Sequence, residues 1–179
     1  MSHPTRSDGR HPAMTRLFHW GTVLLLVAMF TLIWIAGWFG PGTQGTWLVA
    51  LHRSVGVLLF FVVLMRLVWR LSHPFAPSKI HAPVWEHRLA ASVQFLLYAS
   101  LLAMPLLGWA ASDTAGDTVH VFGIATLPSL LTMDEDRSNL LFNIHGWVAT
   151  GLLTCAALHV VGALRHRFVL RDKVLERML

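Results

Sequence analysis

Four histidines stand inside membrane-length apolar stretches: His19 and His52 each near the start of one, and His145 and His159 together on another, fourteen residues apart. Ionisable side chains in a bilayer are costly and functional by default, so chemistry is expected at these positions. At about 1.5 Å per residue and 3.6 residues per turn, His145 and His159 lie roughly 21 Å apart on nearly the same helix face. One helix thus offers two ligands at two depths.

The elements that carry them are membrane spans. Of 179 residues, 55% are hydrophobic and only 13% charged, where an ordinary soluble domain has about a quarter charged. Four segments are long enough for the roughly 30 Å hydrocarbon core, which takes about 20 apolar residues. They run from Leu17 to Gly37, Trp47 to Val68, Leu89 to Ala110 and Ile144 to Leu164. The first is expected to be retained: His19 and Trp20 open it, Trp34 and Trp38 close it, and no small-residue cleavage site follows. The predicted fold is an all-α four-helix transmembrane bundle, a single domain over 1–179.

Charge sets the expected orientation. Arg6, Arg10, Arg16, Arg66, Arg70, Lys79, Arg88, Arg165, Arg167, Arg171, Lys173 and Arg177 fall on one side, and only Arg53 and Arg137 on the other. The positive-inside rule then puts both termini in the cytoplasm. Asp113, Asp117, Asp134, Glu135 and Asp136 make the outer side acidic. The net charge of +5 thus reflects topology and contact with anionic lipid, and no basic and aromatic groove supports a nucleic-acid partner.

The connections are short or punctuated. Gly40-Pro41-Gly42 predicts a tight outer turn, and Pro74, Pro77 and Pro83 exclude a helix through the inner loop from Ser72 to Pro83. The long outer loop from Ser112 to about Asn139 is expected to hold a short structured piece around Phe122-Gly123 and Leu127-Pro128. A basic amphipathic tail, Arg165 to Leu179, is expected along the inner headgroups.

Threading the four spans through the membrane brings His19 level with His159 near the inside, and His52 level with His145 near the outside. One metal ion with ligands about 2 Å away cannot gather all four across 21 Å. Two histidine-pair metal sites would each lack ligands unless water or a third side chain completed them. An iron porphyrin supplies four nitrogens itself, asks for two axial ligands and suits the apolar interior of a bundle. Two b-type haems, one in each half of the bilayer, fit best. Cys155 is the single cysteine, so a Cys-x-x-Cys-His attachment site is excluded and any haem is held by coordination alone. Cys155 reads as a packing residue.

Each residue also has a plainer reading. A lone helix-end histidine commonly packs at the interface; the matched depths single out this set. Gly21, Gly56 and Gly146 can admit a porphyrin edge or serve ordinary helix contacts. Arg16 and Arg53 can pair with haem propionates or anchor at the interface. His3, His11, His73, His81, His120 and His166 read as solvated, and His87 as an interfacial residue or the spare candidate for quinone or protons. The eight tryptophans mostly mark the two interfaces.

The residues resemble the bacterial cytochrome b561 group, related to the b-type cytochrome subunits of nickel-iron hydrogenases. The resemblance spans nearly the whole chain through Arg16-Leu17-Phe18-His19-Trp20, Leu51-His52-Arg53-Ser54-Val55-Gly56, Arg66-Leu67-Val68-Trp69-Arg70 with Pro74, and Met104-Pro105-Leu106-Leu107-Gly108-Trp109. Phe122-Gly123, Leu127-Pro128, His145-Gly146, His159 to Ala163 and Arg167-Phe168-Val169-Leu170-Arg171-Asp172 complete it, with Leu175 to Leu179 closing the chain. It implies a four-helix di-haem electron carrier of the inner membrane whose axial ligands match His19, His52, His145 and His159. It further implies exchange with membrane quinone, ubiquinone in particular, and in one type oxidation of superoxide outside. Steering superoxide needs a positive outer funnel, for which only Arg53 and Arg137 are available. Hydrogenase-type relatives instead relay electrons from a soluble partner and are usually longer. Many relatives carry a histidine one turn before the tyrosine of the third span, where this chain has Gln94 before Tyr98. A relay subunit docked to a dehydrogenase, and a haem-free histidine-containing transporter, are the alternative functions.

Overall fold

The computed structural model of the chain describes residues 10–74, 83–172 and 174–179. Four helices dominate: α1 (Ala13–Phe39), α2 (Thr43–Ser72), α3 (Val84–Thr114) and α4 (Glu135–Arg165). All four are long and apolar enough to cross a membrane. The hydropathic spans are only their inner parts. A backbone leaving the hydrocarbon gains by remaining helical, because its N–H and C=O groups stay satisfied; 27 to 31 residues at about 1.5 Å each cover roughly 40–46 Å, the full bilayer width.

α1 pairs with α2 and α3 with α4, and an α2–α3 contact joins the two hairpins. Among the described residues α4 has no comparable packing against α1 or α2. The α1–α2 turn is tight: Gly40 takes φ 64°, and a Cβ on Gly45 would collide with the Gly40 carbonyl. The end carrying the start of α1 and the finish of α4 is called proximal below, the opposite end distal.

Leu59, Val63, Leu101 and Leu152 form the buried centre, with Leu26, Met29, Phe30 and Tyr98 packed around it. Leu152 lies seven residues from both His145 and His159, and Leu59 seven after His52. Seven residues are nearly two turns, so the layer falls between the two histidine levels. Trp34, Trp38, Trp47, Trp85 and Trp147 face outward, as lipid contact requires.

The α3–α4 connection is folded. Strands β1 (His120–Val121) and β2 (Ala125–Thr126) pair antiparallel through a turn with Phe122 at φ 51° and Gly123 at φ 70°. Ser54 Oγ on α2 accepts from Phe122 N–H at 3.0 Å and lies 3.0 Å from the His120 carbonyl. Asp113 on α3 accepts from the N–H groups of Leu130 and Leu131, each at 2.7 Å. Asp134 then caps α4 by accepting from Arg137 N–H at 3.0 Å.

The tail folds back onto the bundle. After a π-helical turn (His166–Leu170), Arg171 adopts φ 53° and the chain doubles back. His166–Asp172 and Arg167–Glu176 pairs hold it, Trp20 Nε1 donates to the Met178 carbonyl at 2.8 Å, and Arg16 Nη1 donates to Leu179 O. Acidic residues within the tail thus find bases in the π-helical turn, and its last residues settle on α1.

Candidate cofactor sites

The structure brings the four histidines together in two pairs. His19 on α1 and His159 on α4 face each other at the proximal end, ring centres 6.3 Å apart and planes at 56°. His52 on α2 and His145 on α4 do so at the distal end, 6.5 Å apart at 68°. Both pairs bridge the seam where α4 lacks helix packing. Two imidazoles in line on one ion, with metal–nitrogen bonds of about 2.0 Å and about 1.1 Å from nitrogen to ring centre, would stand about 6.2 Å apart. The observed spacings match. Among the described residues no third His, Cys, Asp or Glu joins either pair, so each offers two ligands, the number a porphyrin iron needs.

The surroundings orient the rings. His52 Nδ1 lies 3.0 Å from the main-chain carbonyl of Met29; a carbonyl only accepts, so Nδ1 carries the hydrogen and Nε2 keeps a free lone pair. The buried Nδ1 of His145 makes no hydrogen bond. His19 differs. Arg66 Nη2 stands 3.1 Å from its Nδ1, and a guanidinium only donates, so Nε2 bears the ring hydrogen in this arrangement. For Nε2 to bind iron, that hydrogen would have to move to Nδ1, which ends the hydrogen bond from Arg66.

Around the distal pair a cavity of about 510 Å³ opens, lined by His52, Arg53, Gly56, Gly108, His145, Gly146 and apolar side chains such as Met29, Phe30, Leu101 and Leu152. Its size and lining suit a flat apolar cofactor. Of the glycines singled out by sequence, Gly21 and Gly146 face open space, while a Cβ on Gly56 would meet the Met29 side chain at 3.3 Å. Gly108 went unrecognised as a site residue: its Cβ would sit 3.2 Å from Cε1 of His145. The signal was its place in the Pro105-Leu106-Leu107-Gly108 segment, but which way that helix face turns was not readable.

Arg53 lines the distal cavity, and its guanidinium is engaged by Asp117 at 2.6 Å. Arg16 lies one turn before His19 with Nη1 on Leu179 O and a buried Nε without a partner. Arg66 is the main site residue that sequence reasoning missed; it stood in view only as an inner-side charge and as part of a family motif. His87 is exposed at the start of α3, and Gln94 is half-buried farther along it. His73 stacks on Trp69, His120 bonds Thr126, and His166 pairs with Asp172. His3, His81, Pro77 and Lys79 lie outside the described residues.

A four-helix bundle of membrane-crossing length with histidines paired on facing helices offers two ligands at each of two levels, the number a b-type haem takes from a protein. The profile of the family described as prokaryotic cytochrome b561 matches residues 10–179, and the chain belongs to that family. It is 29% identical over 184 residues to "Cytochrome b561 homolog 2" of Escherichia coli (strain K12), covering 98% of this chain and 94% of the relative. To "Cytochrome b561 homolog 1" of the same organism it is 28% identical over 165 residues, 90% of this chain and 92% of the relative. To "Probable superoxide oxidase CybB" of Yersinia pestis it is 26% identical over 161 residues, 90% of each. Membership makes this a bacterial membrane protein that binds b-type haem and carries electrons.

Proposed function

We propose that the protein passes single electrons across the cytoplasmic membrane through two b-type haems, one of which His19 and His159 would hold and the other His52 and His145, and exchanges them with membrane quinone. The carrying observation is the pair of ring separations, 6.3 and 6.5 Å, at two levels of one bundle. Haem supplies the one-electron chemistry. The four histidines hold and orient it, with the Met29 carbonyl fixing the His52 ring. Arg16 and Arg53 are the cations assigned to its carboxylates. The layer of Leu59, Val63, Leu101 and Leu152 excludes water between the levels, so an electron path need not become a proton leak.

The positive-inside distribution supports a cytoplasmic proximal end and cytoplasmic termini. Ubiquinone, a lipid-soluble two-electron carrier, is the expected quinone; resemblance supports it. Superoxide oxidation at the distal end is the second reading, favoured by the name of the Yersinia pestis relative. The distal arginines speak against strong anion steering, since Arg53 pairs with Asp117 and Arg137 with Asp134.

The test is a reduced-minus-oxidised spectrum with haem quantified per purified chain. Two b haems are expected, and one or none overturns the assignment. Reduced protein should be reoxidised by a soluble ubiquinone analogue without a partner subunit; failure removes the quinone step and favours a relay role.

A further inference from the structure

Arg66 is a cation placed inside the bundle. It lies fourteen residues after His52 and seven after Leu59, so the α2 face that presents a histidine at the distal level presents an arginine at the proximal one. Its Nη2 is 3.1 Å from Nδ1 of His19, whose ring faces His159, and its guanidinium carbon is 5.4 Å from the centre of the Tyr98 ring. Tyr98 and His19 offset part of the cost of burying it. No carboxylate does so among the described residues, where the arginine ion pairs are Arg53–Asp117, Arg137–Asp134, Arg165–Glu86 and Arg167–Glu176.

The distal pair has the opposite surroundings. Arg53 shares its charge with Asp117 at 2.6 Å, and His52 donates from Nδ1 to the Met29 carbonyl. A carbonyl on the second ring nitrogen makes the imidazole a stronger donor and favours ferric iron. A half-buried positive charge with no carboxylate beside it among the described residues favours the reduced state of a neighbouring centre, because it is screened less than it would be in water. Both effects point the same way.

We propose that Arg66 makes the His19–His159 centre the more easily reduced of the two and so directs electrons from the distal end to the proximal end. The step is one electron leaving ferrous iron at the distal pair and reducing ferric iron at the proximal pair, with no bond or proton changed. The inference rests on the two-haem reading.

The experiment is a potentiometric titration of haem absorbance in the full chain. Two components are expected in the native protein, and the higher-potential one should disappear in His159→Ala. Arg66→Gln should lower that component and leave the other in place, while Arg66→Lys restores most of the native value. Asp117→Asn, which releases the charge of Arg53, should raise the other component, so the assignment stands even where a histidine variant fails to fold. The proposal is overturned if Arg66→Gln moves neither component or both equally, if it and Asp117→Asn move the same one, or if the higher component survives in His159→Ala. Fewer than two haems per chain refutes the two-haem reading itself, whereas two haems indifferent to Arg66 refute this inference alone.

Discussion

His52 donates its Nδ1 hydrogen to the carbonyl of Met29, 3.0 Å away on the neighbouring helix. The bond holds the ring with Nε2 free, opposite His145 across a seam that helix packing leaves open. Two levels of the bundle repeat this opposition of rings, and α4 contributes to both.

Independent levels should fail independently. His145→Ala is expected to remove about half of the b-haem absorbance and His52→Ala the same half, while His159→Ala removes the other. Haem per chain and the difference spectrum measure this; loss of all haem in each variant would mean that the bundle collapses as a unit.

Gly108→Ala places a Cβ 3.2 Å from Cε1 of His145, tighter than ordinary contact, and overpacking of this kind costs about 1–3 kcal/mol. The distal haem component should broaden, shift or be lost, with the proximal one unchanged. Gly151→Ala, which meets nothing within 4 Å, is the control and should leave both components as they are. An unaltered distal component in Gly108→Ala would show that the His145 ring has room to move.

Ser54 ties the β1–β2 hairpin to α2 while 3% exposed. Ser54→Ala leaves the Phe122 N–H without its acceptor, a loss of about 1–3 kcal/mol. Faster amide hydrogen exchange at 119–127 is expected, with helix exchange unaltered. Equal exchange in both proteins would mean that other contacts hold the cap.

The tail should respond to acid. Burial pushes the Asp172 carboxyl up, but hydrogen bonds from His166 and the Val174 N–H, with the charges of His166 and Arg177, outweigh it and hold the group below the usual carboxylate range. A depressed carboxylate stabilises the fold at pH above its unfolded value, and the contribution is lost as pH falls through the folded one. Trp20 donates to Met178, so its fluorescence reports the tail. A change is expected below the ordinary carboxylate range, and Asp172→Asn should show it already at neutral pH. A pH-independent signal identical in the variant would remove Asp172 as the clasp.

Spans, histidine levels and their pairing were legible because hydropathy and helical rise are local properties that add along the chain. That the α3–α4 connection holds a short structured piece around Phe122-Gly123 was legible, but that the piece is a β-hairpin came only from the structure. The sequence by itself determined a four-helix membrane bundle with His19 and His159 at one depth and His52 and His145 at another. Only the tertiary structure decided that Met29 supplies the partner of His52, that Gly108 bounds His145, that Asp117 takes Arg53, that Arg66 enters beside His19 and that the tail returns to α1. The physical reason is that these contacts depend on how each helix is rotated about its axis and packed against its neighbours. Rise along a helix is set within a few residues, while rotation is settled by the whole bundle.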